Sequence, residues 1–139
     1  MEITVNENPS QQARERVEKG AIRRALERIA FRAPRVSGCS LRVVEYGPTE
    51  TDGWSGTNLH DDNLYLEEWR PRDGPFGKLR RPQRRILLTC PGLFYNPHKR
   101  EQELRYTVHD SSILEVAKEE MLRCAGELTA SIVSLSKDF

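Results

Sequence analysis

From Ile113 to Leu135 the apolar residues Ile113, Ala117, Met121, Cys124, Leu128, Ile132 and Leu135 follow one another at intervals of four, four, three, four, four and three. Only an α-helix brings positions so spaced onto one side. The spacing therefore predicts a C-terminal helix of about two dozen residues, opened by a capping box of Ser112 with Glu115. Leu114, Leu122, Ala125 and Val133 widen the apolar surface beyond what one small sheet needs. Two outcomes stay open: a broad stripe facing its own core, or a second buried face and hence a dimer.

Such a helix needs a layer to cover, and the upstream chain supplies one. Asn8-Pro9 is a helix start, since asparagine caps free amides and proline suits the first helical position. Ala13, Val17, Ala21, Ala25 and Ile29 then recur every four residues, with Ile22 and Leu26 broadening the stripe. Pro34 ends it. "SLRVVEY" (40–46) reads as a strand closed by the turn-rich "GPTETDG", and 63–69 as a short strand. "RRILLTC" (84–90) and "ELRYTV" (103–108) are further strands, joined by a long polar loop through Pro97. The expectation is an α+β fold in one domain spanning 1–139. Its N-terminal helical part covers about 8–33; a small antiparallel or mixed sheet with the long C-terminal helix covers about 39–136.

At 139 residues the chain can bury a core without disulfides or metal. Cys39, Cys90 and Cys124 are isolated and odd in number, which argues against a disulfide framework or a zinc site and favours a reducing compartment. No apolar run reaches membrane-spanning length, and "MEITVNENPSQQ" lacks the design of a signal peptide. The net charge of +1 conceals segregation. Residues 13–44 hold nine basic and three acidic side chains, 45–68 seven acidic and no lysine or arginine, and 69–105 ten basic against three acidic. Of the 22 basic residues 17 are arginine, whose flat fork grips phosphate with two parallel hydrogen bonds. That bias suits a face meeting a polyanion. It equally suits solvated helix faces.

Catalytic constellations do not emerge. His60-Asp61-Asp62 are adjacent and do not converge in a helix or a strand; they read as a surface turn. His98 and His109 have no ligand spacing, and "GPFGK" lacks the Walker pattern. No enzymatic activity, catalytic residue, bound metal or cofactor is expected.

The two tryptophans, Trp54 and Trp69, bracket the acidic run, and a dense basic cluster follows at Lys78, Arg80, Arg81, Arg84 and Arg85. Trp54, among glycines and small polar residues, is either a stacking plate for a base or a side chain packed on the domain edge. Trp69, after "LYLEE", reads as core or core rim. The acidic run between the tryptophans is expected to keep the polyanion off its side.

The order Trp54, Leu59-His60-Asp61-Asp62, Glu68-Trp69 and Phe76-Gly77-Lys78 leading into arginines resembles the tombusvirus and aureusvirus RNA-silencing suppressors, which measure short interfering RNA. "YTVHDSS" (106–112) and the C-terminal helix are similar to that family's serine-rich turn and last helix, with weaker similarity in "QARERVEKG". The chain is shorter than the tombusvirus proteins, closer to the smaller aureusvirus ones. The resemblance implies a homodimer joining two sheets into one extended concave surface along an A-form duplex, "ELRYTV" pairing with its copy. It implies double-stranded RNA, including the short interfering duplex, as partner, and host silencing proteins as further candidates; no membrane partner is expected, because no apolar run is long enough to span one. It implies a viral suppressor of RNA silencing in the host-cell cytoplasm. Carried over, Lys78 matches a phosphate-contacting lysine, with Arg80, Arg81, Arg84 and Arg85 as neighbouring contacts. His109, Ser111 and Ser112 fall at the serine-rich turn, where His109 and Asp110 replace a serine and a glycine. Trp54 matches the first of two end-capping tryptophans; Thr57 stands at the second. One stacked base is worth on the order of 1–3 kcal/mol, so losing a plate implies relaxed selection for duplex length. The rival from another class is a protein-interaction module whose arginine blocks pair with acidic blocks and which binds no RNA specifically.

Overall fold

The computed structural model describes residues 9–46 and 64–135. Trp54, Thr57 and His60-Asp61-Asp62 lie outside the described residues. Helix α1 spans Pro9–Arg32, strand β1 Ser40–Glu45, β2 Leu64–Arg70, β3 Gln83–Asn96 and β4 Glu101–Val108. Helix α2 spans Leu114–Glu127 and strand β5 Ser131–Ser134. The strands form one sheet in the order β1-β2-β3-β4-β5, antiparallel except for the parallel pair β4/β5 that α2 bridges. The expected α+β class with terminal helices and a mixed sheet is what the chain adopts.

Both helices lie on one face of this sheet. Ala21, Ile22, Ala25, Leu26, Ile29 and Ala33 of α1 and its end meet Ala117, Met121, Cys124 and Ala125 of α2 over Leu64, Leu66, Leu88, Cys90, Leu104, Tyr106 and Val108. Removing a large apolar side chain from water at such sites is worth about 1.5–3 kcal/mol. Burial also pushes the Cys124 thiol up to about 11, so that group stays protonated in the fold. The α1 stripe is only partly used: Ala13 and Val17 are exposed, and the core begins at Ala21.

Three expectations change. The C-terminal helix stops at Glu127, and "SIVS" becomes edge strand β5. Helix α2 closes in a Schellman motif: Ala130 N–H donates to Ala125 C=O at 2.9 Å and Thr129 N–H to Gly126 C=O at 3.3 Å. Thr129 occupies the left-handed position with φ 52°. That place normally holds glycine, which is why no stop was legible; beyond it Ile132 reaches the core by strand alternation instead. Second, the capping box does not form. Asp110 caps the 3₁₀ turn Ser111–Ile113, accepting from Ser112 N–H at 2.8 Å, and Glu115 stands out in solvent. That bond, with Arg85 alongside, holds the Asp110 carboxyl below its ordinary range. Third, β3 runs on through Pro91-Gly92 to Asn96, so the long polar loop shrinks to residues 97–100. Gly92, with φ 105°, sits at the register shift that lets the strand continue. Strand β4 is paired with β3 on one side and, from Glu103 to Tyr106, with β5 on the other, so this stretch offers no edge to a second copy.

Candidate nucleic-acid interface

Strand alternation sends every second side chain to the face that carries no helix among the described residues. Arg42 pairs in register with Glu67, Trp69 with Arg84, Thr89 with Thr107, and Phe94 with Glu103, and paired residues share a face. The result is a row of guanidinium, aromatic and hydroxyl groups. Around Trp69 two arginines converge from the flanking strands, Arg42 Cζ at 4.2 Å and Arg84 Cζ at 5.2 Å from the ring centroid. The indole N–H donates to Glu67 Oε1 at 2.9 Å, and the Tyr46 hydroxyl donates to Glu67 Oε2. Tyr46 in turn meets Tyr65 edge to face at 5.3 Å.

Glu67 is buried, and its two oxygens accept from the Trp69 indole and the Tyr46 hydroxyl, with no arginine paired to it among the described residues. Among the described residues neither Arg42 nor Arg84 has a carboxylate partner; Arg42 Nε only reaches Ser40 Oγ at 3.4 Å. A guanidinium lying over a ring keeps the in-plane N–H donors that phosphate needs. Farther along the face, Arg105 Cζ lies 4.9 Å from the Phe94 centroid and its Nη2 donates to Glu103 Oε1 at 3.0 Å. Hydrogen bonds from Asn96 first, then Arg105, hold the Glu103 carboxyl below its ordinary range. Between the two groups Thr89 Oγ1 stands 3.2 Å from His109 Nε2.

The structure separates the residues that sequence order grouped. Arg84 joins this face. Arg85, its neighbour, points to the other face, where Asp110 at 2.6 Å and Glu68 at 3.4 Å hold it. Arg80 and Arg81 lie exposed in the β2–β3 connection; Lys78 is in its 3₁₀ turn, Gly77–Leu79. His109 sits beside Thr89 on the helix-free face, whereas Ser111 and Ser112 build the turn that opens α2. Trp69 is half-buried and belongs to no part of the helix-facing core: it is the centre of the arginine group. Of the acidic residues between the tryptophans, Glu67 lies on the arginine-bearing face and Glu68 on the other, while Asp61 and Asp62 lie outside the described residues.

Sequence order missed Arg42, Phe94 and Arg105. Arg42 between Leu41 and Val43, and Arg105 between Leu104 and Tyr106, alternate with core residues; that period of two was the available signal. The N-terminal basic block has another destination. Arg28 and Arg32 donate to Glu120 at 2.9 and 3.0 Å, Arg32 also pairs Glu119, and Lys19 and Arg23 pair Glu45. The basic helix thus neutralises the acidic one inside the same molecule.

Among the described residues no three histidine, cysteine or acidic side chains are grouped to hold a metal, and no helix is long and apolar enough to cross a membrane. No family model matches the chain, and no curated protein or solved structure is significantly similar to it.

Proposed function

We propose that the chain binds double-stranded RNA without regard to sequence, through the helix-free face of its sheet. The observation that carries this reading is the pair of stacked arginines on Trp69, Arg42 and Arg84, which lack carboxylate partners among the described residues. An A-form duplex offers phosphates and 2′-hydroxyls to such a face, its major groove being too deep and narrow for side chains to read. In keeping with the suppressor resemblance, the protein acts as a homodimer that sequesters short interfering and longer duplexes, a viral suppressor of RNA silencing in the host-cell cytoplasm. Since β4 is paired on both sides from Glu103 to Tyr106, two copies would join along the β5 edge, where Leu135 is exposed.

The test is competition among duplex RNA, single-stranded RNA and duplex DNA at physiological salt, read beside the mass in solution. Duplex RNA should win, and replacing both Arg42 and Arg84 by alanine should flatten the logarithmic salt dependence by about two, roughly one per lost phosphate contact. Equal capture of single strands, or a strictly monomeric protein, sinks the reading. A second reading keeps one specific support: the basic block of α1 already has its acidic counterpart in α2. An interaction module built on such pairing would bind RNA weakly and lose nothing when Arg42 and Arg84 are replaced.

A further inference from the structure

The connection between β2 and β3, residues 71–82, is ordered by its own backbone. Gly77 N–H donates to Gly74 C=O at 2.9 Å, Leu79 N–H to Phe76 C=O at 3.0 Å, and Arg72 Nε closes the base on Arg81 C=O at 3.1 Å. Gly74 has φ 109°, and a Cβ on Gly77 would stand 2.1 Å from the Arg72 carbonyl oxygen, so the path requires glycine at both places. So well-defined a turn nevertheless holds two large apolar side chains in water: Phe76 is 61% and Leu79 84% exposed. Around them stand Arg72, Arg80 and Arg81, none with an ion-pair partner among the described residues, and the sequence of residues 71–82 has Asp73 as its single acidic residue.

Nucleic acid would engage the cations and leave Phe76 and Leu79 in water. A lipid headgroup region engages both, because apolar side chains enter the acyl boundary while arginines meet the anionic headgroups. We propose that this loop docks the protein on the surface of an anionic lipid bilayer, Phe76 and Leu79 entering it and Arg72, Arg80 and Arg81 meeting its headgroups. Docking of this kind needs no membrane-spanning segment, so it revises the expectation of no membrane partner, which rested on the lack of an apolar span. It is independent of the RNA reading, whose stacked arginines lie on the sheet.

The experiment is flotation of the full chain with vesicles of phosphatidylcholine alone and of phosphatidylcholine mixed with phosphatidylserine. The mixed vesicles should carry the protein and the neutral ones should not. Phe76→Ser with Leu79→Ser should weaken flotation on the order of tenfold or more, with circular dichroism and duplex-RNA affinity unchanged. Arg80→Glu with Arg81→Glu should abolish it. No flotation with mixed vesicles, or flotation that the Phe76/Leu79 variant leaves intact, overturns the proposal, the latter because the cations alone would then suffice.

Discussion

At the scale of single residues, Arg84 and Arg85 make the sharpest contrast. They are neighbours in sequence and point to opposite faces of β3, one stacked on Trp69 and one held by Asp110 and Glu68. Arg84→Ala should weaken duplex-RNA binding and leave the melting temperature within error. Arg85→Ala should do the reverse, costing about 0.5–1 kcal/mol, because Arg85 is itself half-exposed and its pairs are partly screened. Thermal melts beside a binding titration decide it; identical behaviour of the two variants would show that the face assignment has no functional meaning.

Two elements carry the next scale, the end of α2 and its seam with α1. Thr129 is β-branched and left-handed, a conformation that costs a non-glycine residue about 1–2 kcal/mol. Thr129→Gly should therefore stabilise the fold by about 0.5–1 kcal/mol, a rise in denaturation midpoint at unchanged slope; a fall would mean the threonine side chain supports the turn. Along the seam, Glu120 is buried between Arg28 and Arg32. Burial raises its carboxyl, but hydrogen bonds from Arg28 and Arg32 outweigh that and leave it below the ordinary 4.5. A group lowered in the fold stabilises fully above the unfolded value and loses that contribution as pH falls through the folded one. Stability should thus decline below about pH 4.5, and Glu120→Gln should show a shallower decline while starting about 2–3 kcal/mol lower at pH 7. Melts across that range that run parallel for both proteins would refute the assignment.

For the whole molecule, the described strands leave two lateral edges, β1 and β5, and among the described residues one face of the sheet carries no helix. Two copies joined along β5 would continue that face across both sheets, doubling the stacked arginines presented to one duplex. Light scattering should accordingly give twice the chain mass at the concentrations where RNA binds. With threonine at position 57, affinity should rise with duplex length and level off; a gel-shift series with a sharp optimum at short interfering length would contradict this.

The sequence by itself determined the helix over 9–32, the alternation of apolar and polar residues along β1, β2 and β4 and the class of the fold, because hydrophobic period is local. Tertiary structure decided what depends on partners distant along the chain. It ended α2 at a threonine and used the remaining stripe residues as a strand, since a parallel place beside β4 lay open to be paired. It divided the basic residues into those that neutralise Glu45, Glu119 and Glu120 and those left on Trp69, a choice no spacing encodes because it rests on which side chains meet across elements.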